Sequence, residues 1–213
     1  MSQYETDEEQ IAAIKEWWKK NGTSIISSVL IVAVSWTGWS FYQKNQQSKS
    51  ENASAIFNVM QMSFQQGNFG DVSREGLKLL NEQPSSPYSS GVAFLLAKDS
   101  HKKNKTEEVI KHLSWVVEHS EDDSLVLIAK LRIVNVYLEL EKLDEANATL
   151  SGIKSETLTE VEQSTLAYSK AVVALKSNKT SDAIVFLEQV ISNKKSNGNL
   201  VNLAQIQLDD LAK

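Results

Sequence analysis

The sequence predicts an all-α protein, with one N-terminal transmembrane helix followed by a solenoid of helical hairpins. Three observations predict it. Gly22 to Tyr42 is an uncharged, largely apolar run. The 213-residue chain holds only two prolines and eight glycines, which suits helices better than sheet. From Ser48 onward apolar residues recur three and four apart, and no alternating run is bounded by turn dipeptides.

The uncharged run is long enough to span. At a rise of about 1.5 Å per residue it covers roughly 30 Å, the thickness of a bilayer core. Trp17 and Trp18 precede it, and Trp36, Trp39, Phe41 and Tyr42 close it, as expected of interfacial aromatic belts. Before it, Glu5, Asp7, Glu8 and Glu9 form an acidic start, read as a short tail or a helix opening. Ile11, Ile14 and Trp18 follow at helical spacing with Lys15, Lys19 and Lys20, a pattern that can lie in the membrane interface. Those three lysines against Lys44 and Lys49 favour an N-terminus in the cytoplasm and an exported C-terminal domain. Ala53-Ser54-Ala55 has the form of a signal cleavage site. It is too far from the run, and the run is too long for a signal core of about 7 to 15 residues, so an uncleaved anchor is expected.

Composition excludes several functions. Of 22 Lys and Arg and 27 Asp and Glu, three and five lie before residue 43, which leaves 19 against 22 beyond it. A mildly acidic domain has no electrostatic footprint for nucleic acid. With no cysteine there is no disulfide, thiolate site or cysteine nucleophile. No phosphate loop, nucleophile elbow or zinc-protease helix is present. His112 and His119 stand two turns apart without a third ligand and read, with His101, as surface histidines. Asp122-Asp123 and Asp209-Asp210 read as caps or solvated faces. No catalytic residue, cofactor, metal or small-molecule substrate is expected.

The soluble part divides at its breakers. Gly67 and Gly70 end a first helix. Arg74 to Asn81 resumes, and Pro84 and Pro87 stop it. Further helices are expected over Tyr88 to Ser100, from Thr106 as N-cap, over Ser124 to Leu140, Leu143 to Leu150, Thr159 to Ser177 and Ser181 to Ser192, with a last one through Leu200 to Leu211. Thr157 or Thr159 caps the helix that follows them.

Second helices align on Gly76, Val109, Ala146 and Ala183, spaced 33, 37 and 37 residues. Twelve residues before the last three lie Ala97, Val134 and Ala171 of the first helices. Small residues at these seven positions let paired backbones approach. The pattern resembles the tetratricopeptide repeat, a helix–turn–helix unit of about 34 residues. It departs from it in placing valine at two small positions and in having inter-repeat prolines only after the first unit.

Tyr4-Glu5, Trp17-Trp18-Lys19-Lys20-Asn21-Gly22, and Gly38-Trp39 followed by Phe41-Tyr42 add to this layout. Together they resemble the YfgM-type ancillary subunits of the bacterial Sec translocon. The resemblance implies a single-pass inner-membrane protein. Residues 1–21 would be a cytoplasmic tail and interfacial helix, 22–43 the transmembrane helix, and 44–213 a periplasmic tetratricopeptide-repeat-like domain. It implies as partners the Sec translocon and a membrane-anchored periplasmic chaperone of the peptidyl-prolyl isomerase class. It also implies a role in passing exported polypeptides to periplasmic chaperones. A tethered scaffold for another envelope complex, in division or cell-wall synthesis, is the alternative.

Two faces are candidate binding elements. Repeat arrays of this kind bind along the concave side formed by their first helices. In this alignment that side carries Phe94, Leu131 and Tyr168, then Lys98, Asn135 and Val172, then His101, Leu138 and Leu175. It holds too few Lys, Arg and Asn to clamp a C-terminal carboxylate. A partner helix or an unfolded segment fits its apolar character, and part of the set is alternatively core. In the span, Ser24, Ser28, Ile31, Ser35 and Gly38 fall within roughly 80° of one another on a helix. Such a stripe suits a neighbouring transmembrane helix, or else the hydroxyls bond back to their own helix carbonyls.

Overall fold

The computed structural model describes residues 7–211, and among these every regular element is helical. Tyr4 and Glu5 of the predicted tail lie outside the described residues. The chain divides into two units, Met1–Glu51 and Asn52–Lys213.

The first unit is the leading part of α1, which covers Asp7–Gln66. It contains the one helix among the described residues that is long and apolar enough to cross a membrane. Its apolar side chains stand outward with no protein against them, Val29, Ile31, Val32 and Trp36 all among the exposed residues. A separate helix from Ser48 was expected. Instead no helix end falls between Tyr42 and Asn52, because this stretch contains neither glycine nor proline. Gln47 donates to Glu51 at 2.8 Å, an i, i+4 pair that supports the helix there.

In the second unit, residues 52–66 of α1 pair with α2, Phe69–Glu82. Three hairpins follow. They are α3, Pro87–Lys102, with α4, Thr106–His119; α5, Asp123–Glu139, with α6, Leu143–Ser151; and α7, Glu160–Lys176, with α8, Thr180–Ser192. A 3₁₀ turn, Ser155–Thr157, precedes α7, and α9, Gly198–Leu211, ends the described chain. From α2 onward each helix packs on the next, and α5 also meets α7, and α7 meets α9. A hairpin cannot bury its apolar face alone, and stacking places a series of buried apolar clusters along the array.

The four hairpin turns share one geometry. Gly67, Asn104, Glu141 and Asn178 have φ of 83°, 56°, 58° and 58°, each 37 residues after the last. The next residue closes the turn by donating its N–H to the carbonyl five back. Asn68 reaches Ser63 at 2.9 Å, Lys105 Ser100 at 2.9 Å, Lys142 Tyr137 at 2.8 Å and Lys179 Ala174 at 2.8 Å. This is the left-handed helix stop that glycine and asparagine tolerate. Gly67 therefore ends α1, whereas Gly70 lies inside α2 and breaks nothing. Glutamate is the costly occupant. Glu141→Gly is expected to raise stability by about 0.5–1 kcal/mol, measured as the urea midpoint, because it removes a left-handed strain at an exposed site.

Caps refine the expected starts. Thr159, not Thr157, caps α7 in a full capping box. The Glu162 N–H donates to its hydroxyl at 3.3 Å, and its own N–H donates to the Glu162 carboxylate at 2.9 Å. Asp122 caps α5 through Oδ1, which accepts from the N–H groups of Ser124 and Leu125. Thr106 is already helical, and Lys105 stands at the N-cap without a side-chain cap. The preceding turn hands the chain directly into α4, since the Val109 N–H donates to Lys105 O. Pro87 opens α3 at its first turn, where its missing N–H costs nothing.

The turns also correct the register of the first hairpin. Counting by 37, Val72 and not Gly76 corresponds to Val109, Ala146 and Ala183. Gly76 corresponds to Leu113, Leu150 and Leu187, all buried. Met60 occupies the small-residue position of Ala97, Val134 and Ala171, and is itself fully buried. A Cβ on Gly76 would lie 2.5 Å from Met60 Sδ and Cε and 3.0 Å from Val92 Cγ1. The bulk that leucine supplies from the second helix elsewhere comes here from the first.

Candidate functional site: the first-helix side of the array

The seven residues expected at small packing positions, Gly76, Ala97, Val109, Val134, Ala146, Ala171 and Ala183, are all buried, though Gly76 falls outside the alignment of the other second-helix positions. Small side chains at buried positions between paired helices leave room for their backbones to approach.

The nine groove residues divide. Leu131 is in the core with Leu127, Val134 and Leu150, and Leu138 packs against the same cluster. Tyr168 is half-buried against Ala167, Ala171 and Ala204. Burial raises its phenol pKa, opposed by a hydrogen bond from Gln207 of α9. Val172 and Leu175 are half-buried, and Asn135 is exposed. His101 is exposed and sits 3.2 Å from the Glu139 carboxylate of α5. Lys98 is exposed, with its ammonium 4.8 Å from the centre of the Phe64 ring. Phe94 is half-buried under the Arg132 guanidinium, 4.6 Å away.

Residues 52–66 extend the three stripes by one helix. Phe57, Gln61 and Phe64 precede Phe94, Lys98 and His101 by 37 residues. The ring of Phe57 lies over Gly91, where a Cβ would stand 2.7 Å from Cε2. Lys102 and Arg132 were also missing from the expected groove. Lys102 places Nζ 4.0 Å from the Phe64 ring centre. Both fall one position off the stripes, and only their long side chains bring them over the rings. Two polar links tie neighbouring first helices. His101–Glu139 joins α3 to α5, and Ser124 Oγ donates to Glu162 Oε1 at 2.7 Å between α5 and α7. Ser124, followed by the Thr159 N–H and hydroxyl, holds the Glu162 carboxyl below the usual carboxylate range.

The other histidines, expected at the surface, are half-buried. His119 stacks on Trp115 with ring centres 4.5 Å apart, and its Nδ1 lies 2.9 Å from Trp115 O. His112 is half-buried in α4, and burial lowers its pKa, with Lys111 adding to the shift and Glu108 opposing it. Protonation of His112 therefore favours the unfolded chain. Stability is expected to be full above about pH 6.5, the ordinary imidazole value, and to fall as pH drops below it. In His112→Gln that part of the acid slope should be absent, as read from melting temperatures between pH 8 and pH 5. No group of three or more metal-binding side chains occurs among the described residues.

In the first unit, Ser24, Ser28, Ile31, Ser35 and Gly38 are all exposed. Ser28 Oγ donates to Ser24 O at 2.8 Å, the back-bonded arrangement. Nothing lies within 4 Å of a Cβ built on Gly38.

An array of 37-residue helical hairpins behind a single apolar helix defines a helical-repeat protein. The chain belongs to the family described as a tetratricopeptide repeat-like domain, whose model matches residues 15–213. It is similar to the ancillary SecYEG translocon subunit of Haemophilus influenzae, 29% identical over 157 residues, 71% of this chain and 74% of that one. The ancillary SecYEG translocon subunit of Neisseria gonorrhoeae is 22% identical over 213 residues, 99% of this chain and 100% of its own. That of Escherichia coli is 22% identical over 156 residues, 73% and 75%. The resemblance to ancillary translocon subunits expected from the sequence is borne out by these relatives. No solved structure matches the chain.

Proposed function

We propose that this chain is a membrane-anchored protein-interaction module associated with the Sec translocon, linking exported polypeptides to periplasmic chaperones. The observation that carries the reading is its similarity, end to end in one case, to ancillary translocon subunits. One apolar helix near the N-terminus supports a single pass through the inner membrane. The lysines before the span support a cytoplasmic N-terminus and a periplasmic repeat domain. The chaperone is of the membrane-anchored peptidyl-prolyl isomerase class. In this reading the stripe Ser24, Ser28, Ile31, Ser35 and Gly38 meets a transmembrane helix of the translocon. Small side chains allow close approach, and a hydroxyl bonded to its own helix still accepts a bond.

Affinity purification from membranes in mild detergent tests the reading. The translocon is expected to co-purify with the parent chain and with Ile26→Leu/Val29→Leu, and to be depleted with Ser28→Leu/Ser35→Leu. Equal recovery from both pairs removes the stripe as the contact. Recovery of division or cell-wall proteins without the translocon overturns the assignment. Protease added to spheroplasts is expected to degrade the repeat domain while a cytoplasmic control survives.

A further inference from the structure

Three cations on the first-helix side have no carboxylate partner among the described residues: Lys98, Lys102 and Arg132. Lys78, Lys103, Lys105 and Lys195 each lie within 4 Å of a carboxylate. Acids on the same two helices are engaged elsewhere, Asp99 with Lys103 and Glu139 with His101. Lys98 and Lys102 instead converge on one ring, Phe64, at 4.8 and 4.0 Å, and Arg132 covers Phe94 at 4.6 Å.

The convergence has a cost and a use. Like charges four apart on a helix repel. The ring face attracts each ammonium and holds two long side chains that would otherwise spread into solvent. The ring is itself held, edge-on to the buried Phe69 with centres 5.6 Å apart. Side chains fixed before binding lose less freedom on binding. Ile128, one turn before Arg132 on α5, is 40% exposed. Positive groups on two helices therefore flank apolar surface.

We propose that this side of the array docks a polypeptide segment of a partner that carries several carboxylates with apolar side chains between them. Carboxylates meet Lys98, Lys102 and Arg132, and apolar groups cover Phe94 and Ile128. The proposal rests on reading the domain as a protein-docking module and adds the chemistry of what docks.

The test uses the full chain in non-ionic detergent micelles and a fluorescein-labelled glutamate-rich peptide with interspersed leucines. The control peptide has glutamine for glutamate. Fluorescence anisotropy is expected to show glutamate-dependent binding that weakens as salt is raised. K98Q/K102Q and R132Q are each expected to weaken it by about fivefold, the scale of one or two exposed ion pairs. K98R/K102R, which keeps the charges, should bind nearly as the parent, and K103Q/K105Q, whose lysines are already paired, should do so too. Equal binding of the two peptides, or unchanged binding by K98Q/K102Q and R132Q, overturns the proposal. Displacement of the peptide by equimolar short-chain phosphatidylglycerol also overturns it, in favour of a lipid headgroup. The assay contains no translocon. A negative result leaves translocon association standing, and failed co-purification leaves the peptide result standing.

Discussion

Met60→Ala and Gly76→Leu are each expected to destabilise the repeat domain, and together they are expected to recover most of the loss. Met60 is fully buried, so truncation leaves a cavity and costs about 2–5 kcal/mol. Gly76→Leu alone drives a side chain into the space that Met60 Sδ and Cε occupy, an overpacking that costs about 1–3 kcal/mol or more. The pair restores the arrangement of the next three hairpins, where a small residue on the first helix faces Leu113, Leu150 or Leu187 on the second. A double-mutant cycle on urea unfolding is expected to give a favourable coupling of about 0.5–3 kcal/mol. Additive losses would show that the two side chains do not share one space and would sink the 37-residue register of the first hairpin.

Ala146→Trp is the second large effect expected. Ala146 has no exposed surface and lies among Leu131, Val134 and Leu150. An indole there must push α6 away from α5 or force its neighbours off their rotamers, at a cost of at least about 1–3 kcal/mol. Glu145, its exposed neighbour, is the control. Glu145→Trp is expected to stay within about 0.5 kcal/mol of the parent. Thermal melts of the two variants side by side check this, and an unchanged melt for Ala146→Trp would remove Ala146 from the hairpin seam.

Much of the architecture was legible because helical periodicity is a long-range signal. Runs such as Leu127, Leu131 and Val134, or Ala167, Ala171 and Ala174, repeat the 3.6-residue spacing over two turns. Thr157 or Thr159 with acids close behind announced a helix start, and the two reciprocal bonds between Thr159 and Glu162 decide which of them caps it. The stretch after Tyr42 was misread because polar residues without glycine or proline look the same in a linker and in an exposed helix. The first hairpin was misaligned because the small residue was taken as the marker, when the conserved geometry lies in the turn. Asn104 and Asn178 suit a left-handed residue, but Glu141 hides the third such turn. Of the cations over Phe64 and Phe94, Lys98 was in the expected groove and the other two were out of reach. Lys102 and Arg132 lie off the expected stripes, and a stripe argument follows Cβ positions while these side chains act several bonds further out.

The shared turn has a kinetic consequence. The residue after each of the four left-handed ones closes its hairpin with a bond spanning five residues, and each hairpin packs mainly on its sequence neighbours. Few contacts join helices that are not neighbours in sequence, so little loop entropy is spent before packing is gained. A chain delivered from its N-terminus can thus order hairpin by hairpin, each completed unit offering a template to the one emerging behind it. Residues 52–82 can pair before α9 has been synthesised, and truncation from the C-terminus should shorten the folded array one unit at a time rather than abolish it.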